Sequence, residues 1–419
     1  MSSEDRLLDT LVTWQDVEIE MQKSLGTTAK FGENRKCVNF GHMKGFMSRI
    51  ALIEADWTHQ KEELPEKFIV KISTALGVKD LFDCIDFLKD DSPKTEPVPE
   101  FRPETNQDIV DTVKQCHNRE CKTYEIIEKE KLSTLPIIKI YAAKPFASDS
   151  TGGFLICEYI PNAIPSSLYS TIPYKNLLPV IDAIGAFSAL GDRINEEDRK
   201  MMNGEEHLER GIRTFFPEAA YPKIRSSFLE ALGEQFTEKI DKVMEILKLI
   251  CSSPQSYTKL SEFLDIKPVL RHSDLWPSNL LLTRSLGNPD QLNFKALIDY
   301  QLCSFGTPGL DAAGFVVTCM NAKDRRNHTV DFLNQYYQSF KANLPENSLP
   351  YTFQQLQDSY NICYVPLALQ ITPFMWSMAK NKGVEEGLQM AREKMGGLIE
   401  DLIEVHEGNM KKFPTFFEV

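Results

Sequence analysis

Residues 269–279 read Val-Leu-Arg-His-Ser-Asp-Leu-Trp-Pro-Ser-Asn, a short apolar strand that runs into a polar loop. In this loop Asp274 follows His272 by two positions, and Asn279 follows Asp274 by five. Phosphoryl transfer needs a carboxylate that accepts or orients the proton of the attacking hydroxyl, and an amide oxygen that coordinates Mg²⁺ on the triphosphate. The segment therefore predicts Asp274 as the catalytic base and Asn279 as a magnesium ligand.

A second carboxylate follows a later strand. Residues 296–301, Ala-Leu-Ile-Asp-Tyr-Gln, form an apolar run that ends in Asp299, after a turn-rich stretch that predicts a hairpin. The hairpin would bring Asp299 beside Asn279, where a second magnesium ligand belongs. Taken singly, an aspartate after a strand is more often a helix cap or a turn residue. The three side chains together favour a metal-assisted site.

His272 has two interpretations. It could transfer a proton, or it could be a buried histidine that bonds a backbone carbonyl. We expect the second, in which His272 braces the loop that carries Asp274.

Lys71 interrupts the apolar run Phe68–Ile72, where a lysine is out of place unless its ammonium meets an anion. Phosphate oxygens and a glutamate from a helix would supply that anion. Glu120, in the next predicted helix, is our choice of partner, although Glu125 and Glu128 lie on the same helix.

Residues 41–48, Gly-His-Met-Lys-Gly-Phe-Met-Ser, lie between two predicted strands ahead of Lys71. A loop at this position can point backbone N–H groups at phosphates, with Gly41, Gly45 and Ser48 as its key positions. The stretch lacks the full G-x-G-x-x-G spacing, so an ordinary glycine hairpin is the alternative.

The remaining pattern divides the chain into three parts. Residues 1–30 predict one amphipathic helix. Residues 31–160 predict a small lobe built on a β-sheet, with a Pro-rich, charged surface excursion at about residues 80–106. Residues 161–419 predict a larger, mainly helical lobe that holds the loop of Asp274 and Asn279. The fold class is therefore α+β.

Composition and charge limit which partners and which cellular compartment the sequence is compatible with. A formal net charge of −13 argues against binding nucleic acid or an anionic membrane, because both need a basic face. The nine cysteines show no regular disulfide framework, and the N-terminus lacks the basic start and apolar run of a secretory signal. The close set Cys116, His117 and Cys121 lacks a second pair of ligands, which favours a helix surface over a zinc site. We expect a cytoplasmic protein.

These features together resemble the choline kinase and aminoglycoside phosphotransferase superfamily, most of all its ecdysteroid-kinase-like (CHK kinase-like) branch with its nematode members. The residues that carry the resemblance are Lys71, Glu120, His272-Ser-Asp274, Asn279 and Ile298-Asp-Tyr-Gln301. It covers nearly the whole chain. The resemblance implies a bilobal protein-kinase-like fold with a five-stranded sheet in the small lobe. It also implies ATP and Mg²⁺ as cofactors and a hydroxyl group of a small molecule as phosphate acceptor.

The same resemblance assigns further residues. Glu158, Tyr159 and Ile160 would form the linker that contacts adenine, and Asp311 would be a structural aspartate that supports the site. The helices that follow Asp299 would form the wall of the acceptor site.

Two departures from related families narrow the acceptor. Ser273 stands where protein kinases carry an arginine, and no Ala-Pro-Glu segment follows Asp299, so protein substrates are not expected. Choline-specific enzymes typically show a glutamate where this chain has Gln301. The neutral side chain removes a negative charge that would attract a quaternary ammonium, so choline is not expected either.

Aromatic residues point to the kind of acceptor. Tyr360, Tyr364 and Trp376 lie in a late helical stretch, and such side chains suit a ring-bearing substrate. Gln301 could donate a hydrogen bond to a neutral hydroxyl next to Asp274. We expect an apolar, steroid-like or glycosylated hydroxyl compound. The alternative is that these aromatic side chains are simply helix core.

The rival from another class is a catalytically silent pseudokinase that binds a ligand or acts as a scaffold. Pseudokinases usually lose the lysine, the base or the metal aspartate. All of these residue types are present here, which favours an active enzyme.

Overall fold

One antiparallel sheet of five strands organises the first part of the chain, in the order β1-β2-β3-β5-β4. The structure is a computed structural model that describes residues 5–40, 46–58, 64–78, 85–88, 105–147, 152–285, 287–288, 291–346 and 348–417. The strands are β1 (Lys36–Asn39), β2 (Ser48–Glu54), β3 (Lys67–Ser73), β4 (Ile140–Lys144) and β5 (Gly153–Glu158). Two helices accompany them, α1 (Trp14–Leu25) and α2 (Gln107–Glu130). The sheet confirms the expected number of strands.

The alternation of side chains along β3 decides which face of the sheet carries chemistry. Phe68, Val70 and Ile72 are buried in one apolar cluster that also contains Met21 of α1. Because successive side chains of a strand point to opposite faces, Lys71 lies on the other face of the sheet. Strand β3 lies between β2 and β5 and pairs with both, so the backbone of Lys71 is fixed by a neighbouring strand on each side.

The N-terminal helix is shorter than predicted. Thr13 caps α1 through a capping box with Asp16, in which the Thr13 side chain accepts from the Asp16 N–H at 3.2 Å. Upstream of this cap, Leu8 and Asp9 have positive φ angles of 49° and 60° and form a turn. The prediction of a helix over residues 1–30 is therefore wrong for the described residues before Trp14.

A larger, mainly helical part follows. Its longer helices are α3 (Tyr174–Leu190), α4 (Glu196–Met201), α5 (His207–Phe215), α6 (Tyr221–Leu232), α7 (Thr237–Ser252), α9 (Gly309–Cys319), α10 (Ala322–Asn343), α11 (Phe353–Lys382) and α12 (Glu385–Lys412). The single-turn helices are α8 (Leu260–Phe263) and α13 (Pro414–Phe417). Four short strands, β6 (Val269–Arg271), β7 (Leu280–Arg284), β8 (Leu292–Leu297) and β9 (Ser304–Gly306), pair as β6–β9 and β7–β8.

The chain divides into two compact units. The sheet unit comprises Met1–Asp83, Asp90–Lys129 and Ile137–Ala163, and the helical unit comprises Cys84–Lys89, Glu130–Pro136 and Ile164–Val419. The change at residue 164 lies close to the lobe boundary drawn from the sequence after residue 160. Of the excursion at about residues 80–106, the larger part lies outside the described residues. A sheet unit and a larger helical unit confirm the α+β fold class.

One apolar stripe of the larger part spans two helices. The apolar stripe from residue 224 to residue 251 is divided between α6 and α7, because Gly233 has a φ of 80° and ends α6. Glycine reaches this left-handed region at little cost, whereas most other residues do not.

Helix α11 is long and apolar enough to cross a membrane, judged by its length and composition alone. In the structure 78% of its most apolar window is buried inside the protein. It packs against α9 and α12, and it contains Pro366 and Pro373. This arrangement is that of a core helix.

A buried lysine joins three parts of the helical unit. Lys394 of α12 is 3% exposed, and its Nζ donates to the carbonyls of Leu168 at 2.8 Å, of Ser170 at 3.1 Å and of Thr318. Burial lowers the pKa of Lys394 to about 7. Three backbone carbonyls of two separate segments thus share one donor group.

Lys394→Met keeps the apolar stem and leaves these carbonyls without their donor. We expect the free energy of unfolding to fall by about 3 kcal/mol, because three buried acceptors that lose their donor keep their desolvation cost. Urea denaturation measures the change. The control is Lys248→Met on an exposed position of α7, which should cost under about 0.5 kcal/mol. Equal losses in the two variants would contradict the assignment.

Candidate active site

The β7–β8 hairpin brings two of the predicted site residues together. Asn279 directly precedes β7, and Asp299 follows the end of β8 by two residues. The Ile298 N–H donates to the backbone carbonyl of Asn279 at 3.1 Å. This bond places Asp299 beside Asn279, as the turn-rich connection predicted.

Asn279 also holds the loop of the predicted base. Its Nδ2 donates to the backbone carbonyl of Asp274 at 2.8 Å and to Asp274 Oδ2 at 2.9 Å. Asn279 is 3% exposed, whereas Asp274 is half-buried. With both amide protons engaged, Asn279 Oδ1 is the atom that remains for a cation.

The donor set fits magnesium. Asp299 is half-buried and, with Asn279, supplies only oxygen ligands, which Mg²⁺ prefers and usually completes with phosphate oxygens and water. Asp299 has a φ of 68°, a left-handed conformation that is uncommon for a residue other than glycine and is typical of functional sites. The part of the chain that the structure describes has no group of three or more His, Cys, Asp or Glu residues that could hold a metal ion.

His272 braces the loop, as expected. It is fully buried, and its Nε2 lies 3.0 Å from the backbone carbonyl of Ile298. Because a carbonyl only accepts, Nε2 carries the proton. His272 therefore ties the Asp274 loop to the residue before Asp299, which confirms the predicted bond to a backbone carbonyl.

Asp311, in the first turn of α9, holds the same loop from the other side. Its two carboxylate oxygens accept from the backbone N–H of His272 at 2.6 Å and of Ser273 at 2.8 Å. Ser273 has a φ of 64°, so the loop needs this anchor to keep an unfavourable backbone conformation. Burial raises the pKa of Asp311 to about 6, although Arg271 and the two N–H bonds oppose that shift. These contacts support the structural part that the family resemblance implied.

In the sheet unit, Lys71 and Glu120 form the predicted ion pair. Lys71 Nζ lies 2.8 Å from Glu120 Oε1 and 2.7 Å from Oε2. Both residues are buried, with exposures of 9% and 1%. Glu125 and Glu128 are exposed, so the choice of Glu120 is confirmed.

The predicted phosphate loop is only partly described. Gly41 and Gly45 lie outside the described residues. Ser48 begins β2, is 3% exposed and pairs with Ser73 of β3. The phosphate-binding role of this loop stays a prediction.

The predicted adenine linker begins at the end of β5. The Glu158 carboxylate accepts from the backbone N–H of Lys139 at 2.7 Å. The Tyr159 ring lies 6.0 Å from the ring of Phe40, measured between centroids, and Ile160 is half-buried. Contact with adenine stays a prediction for these residues.

Two of the predicted acceptor residues lie in the interior of the helical unit. Tyr360 and Tyr364 are 5.7 Å apart between ring centroids, are almost fully buried, and lie near Arg325 and Asp401. Burial raises the pKa of both phenols. These surroundings are those of the core alternative, and an acceptor role stays a prediction.

The other two predicted acceptor residues are buried as well. Trp376 is 2% exposed, and its indole N–H donates to Glu230 of α6 at 3.2 Å. Gln301 is 8% exposed and lies in the 3₁₀ turn that starts after Asp299. Of the four, Gln301 is therefore the one that the chain holds next to a predicted magnesium ligand.

One residue of the sheet unit was missed. The expectation that Cys116, His117 and Cys121 cover a helix surface is wrong, because all three are buried. His117 bonds the sheet through both ring nitrogens, to Ser73 and to Lys144. The available signal was the spacing of His117 and Glu120, which puts both on one face of α2.

The predicted site residues belong to two units. Lys71 and Glu120 lie in the sheet unit, whereas Asp274, Asn279 and Asp299 lie in the helical unit. The structure brings together the residues of each set. That the two sets face each other stays a prediction.

The five-stranded sheet with its lysine–glutamate pair, and the helical unit with its Asp274 loop, define a protein of the kinase-like fold. The fold is shared with choline kinase from Cryptosporidium parvum Iowa II, with a TM-score of 0.50 and 12% identity over 91% of this chain and 93% of that chain. Residues 1–410 match the model of the DUF1679 family, whose description is "Uncharacterized oxidoreductase dhs-27". The chain belongs to the DUF1679 family.

Two further proteins are similar to this chain. A Caenorhabditis elegans protein described as an uncharacterized kinase-like protein is 33% identical over 102 residues, which cover 24% of this chain and 25% of that protein. The match thus spans a quarter of the relative. An ethanolamine kinase of Plasmodium vivax has 10% identity over 96% of this chain and 93% of its own, with a TM-score of 0.43.

The family description names an oxidoreductase, but the sheet does not have the arrangement of the Rossmann-type dinucleotide-binding folds. Dinucleotide-binding folds place the cofactor at the carboxyl ends of parallel strands. Every strand pair of the five-stranded sheet described here is antiparallel. The fold is the kinase-like one that the chain shares with the choline kinase from Cryptosporidium parvum Iowa II.

Asp311→Asn tests the anchor of the Asp274 loop. An asparagine has one side-chain oxygen, which can accept from only one of the two N–H groups as the carboxylate does. Its NH₂ group then faces the second N–H, and two donors cannot bond each other. We expect the free energy of unfolding to fall by about 2 kcal/mol in urea denaturation. Asp241→Asn, which removes a surface pair with Arg225, should cost under about 0.5 kcal/mol. An Asp311→Asn protein as stable as this control would contradict the anchoring role.

Proposed function

We propose that this protein is an ATP-dependent phosphotransferase that phosphorylates a hydroxyl group of a small molecule, with Mg²⁺ as the metal. The observation that carries the proposal is the pair of hydrogen bonds that the Asn279 amide donates to Asp274, next to Asp299. One amide thereby links a carboxylate suited to a base with a carboxylate suited to a metal. The buried pair of Lys71 and Glu120 supports the same function.

Each residue has a defined task in this reaction. The γ-phosphoryl group moves from ATP to the acceptor oxygen, ADP leaves, and Asp274 accepts or orients the proton of the acceptor hydroxyl. Asn279 and Asp299 would hold Mg²⁺, which neutralises charge on the phosphates when it is bound. Lys71, kept in place by Glu120, would bind phosphate oxygens. His272 and Asp311 keep the loop of the base in its conformation.

A neutral hydroxyl compound is the acceptor that the residues favour. Gln301 is buried beside Asp299 and carries no charge, so it suits a neutral hydroxyl better than a quaternary ammonium. An apolar, steroid-like or glycosylated compound fits this preference. The net charge of −13 supports neither nucleic acid nor an anionic membrane as a partner, and we propose a cytoplasmic enzyme.

A pseudokinase is the competing function. It would bind nucleotide or another ligand without transferring phosphate. The base Asp274 and the metal ligands Asn279 and Asp299 argue for turnover, because a scaffold needs neither. Activity with an acceptor distinguishes the two functions.

Mg²⁺ and ATP together should raise thermal stability, because a ligand that binds only the folded state stabilises it. We expect about 2.7 kcal/mol at a hundred times the dissociation constant. Asp299→Ala should remove most of the magnesium dependence.

Asp274→Asn should keep the stabilisation and lower turnover by about 10²-fold to 10⁴-fold, because the base acts on the acceptor. The measurements are differential scanning fluorimetry and mass spectrometry of phosphorylated metabolites. Equal turnover by wild type and Asp274→Asn would contradict the assignment.

A competition assay tests the acceptor class. Choline, ethanolamine, a sterol and an aryl glucoside are offered together with ATP and Mg²⁺, and phosphorylated products are quantified. We expect product from a neutral compound, because Gln301 provides no charge for a cation. Gln301→Glu should shift the preference towards choline. Efficient turnover of choline by the wild type, with none of the neutral compounds, would contradict this proposal.

A further inference from the structure

Helix α2 is joined to β3 by two side-chain contacts that lie next to each other. Glu120 of α2 meets Lys71 of β3, and His117 of α2 meets Ser73 of β3. His117 lies three residues before Glu120, so both side chains are on one face of the helix. Ser73 lies two residues after Lys71, so both are on one face of the strand. The second contact therefore sets the same helix against the same strand.

His117 is held at both ring nitrogens. Its Nε2 lies 2.8 Å from the backbone carbonyl of Lys144, at the end of β4, and its Nδ1 lies 2.7 Å from Ser73 Oγ. The carbonyl accepts, so Nε2 carries the proton, and Nδ1 accepts from the Ser73 hydroxyl. The residue is 1% exposed. One ring thus joins α2 to two different strands.

Packing leaves the ring little freedom. The ring of Phe146 meets it edge-on, at 5.4 Å between centroids and 82° between planes. A Cβ on Gly153 of β5 would lie 2.5 Å from His117 Cδ2, so only glycine fits beside the ring. The neighbouring Asn118 exchanges two hydrogen bonds with the backbone of Phe146, at 2.8 and 3.1 Å.

The ring is neutral. Burial, with a smaller contribution from the positive charge of Lys71, lowers the pKa of His117 to about 4. At neutral pH His117 therefore adds no second cation beside Lys71. Glu120 has the lysine as its nearby positive partner, and the histidine contributes geometry without charge.

The two contacts differ in stiffness. A lysine and a glutamate have long side chains with many rotatable bonds, so one ion pair tolerates a tilt or a shift of the helix. A histidine has only two side-chain torsions, and here both ring nitrogens are bonded. We propose that His117 is a positioning residue: held by Ser73 and the Lys144 carbonyl, it fixes α2 on the sheet so that Glu120 keeps Lys71 in place.

The consequence for nucleotide binding rests on the proposed function, whereas the positioning of α2 does not. His117→Phe keeps a ring and removes the hydrogen bonds to Ser73 and to the Lys144 carbonyl, and Ser73→Ala removes the first of these. Hydrogen exchange of the nucleotide-free protein, followed by mass spectrometry, should show faster exchange across α2 in both variants. Unchanged exchange in α2 would overturn the inference, whether or not the protein binds ATP.

Nucleotide affinity tests whether the effect passes through the ion pair. The dissociation constant of Mg²⁺–ATP should rise about tenfold in His117→Phe, and under about twofold when the same change is made in Glu120→Gln. The control is Trp57→Phe, which removes a hydrogen bond to Pro65 elsewhere in the sheet unit and should leave the affinity unchanged.

The outcomes separate the two proposals. Equal tenfold losses in the wild-type and Glu120→Gln backgrounds would show that His117 does not act through Glu120, and would overturn the positioning role. A wild-type protein that binds no Mg²⁺–ATP would end the proposed function, and hydrogen exchange alone would then decide the role of His117. Binding by the wild type with no loss in His117→Phe would overturn the inference and leave the function standing.

Discussion

The carboxylate of Asp311 is the constraint on which the candidate site depends. It accepts two consecutive backbone N–H groups, those of His272 and Ser273, and so holds a loop whose backbone is strained at Ser273. His272 then reaches the Ile298 carbonyl, which places the end of β8 against the same loop. Asp274 and Asp299 are the next residues along these two segments. The buried Asp311 carboxylate of α9 thus positions Asp274 and Asp299 through the backbone segments that carry them.

Much of this site could be predicted because its residues violate local rules. A lysine in an apolar strand, and carboxylates at the ends of apolar runs, can be recognised from the sequence alone. Asn279 and Asp299 could be paired because a hairpin makes them neighbours. His117 could not be found in this way. The role of His117 comes from its contacts with β3, β4 and β5, which the residue pattern of a helix does not reveal. Its spacing from Cys116 and Cys121 suggested only a metal site or a helix surface.

The fold was predictable at the level of class and less so at the ends of elements. The apolar spacing before Trp14 resembles a helix, but the capping box of Thr13 and Asp16 starts α1 later. Gly233 splits one apolar stripe into two helices. The aromatic residues of α11 show the opposite problem. Periodicity identifies their helix, but an aromatic side chain in the core and one in a pocket have the same pattern, and only three-dimensional contacts separate them.

The long apolar helix α11 has a consequence for how the protein is made. A ribosome delivers α9 before α11 and α12 after it, so one of the two helices that α11 packs against most is made only after α11 itself. Until α12 is made, part of the apolar surface that α11 buries in the folded protein lacks its partner. The order of elements along the chain thus means that the core around α11 cannot be completed before residues 385–412 have been synthesised.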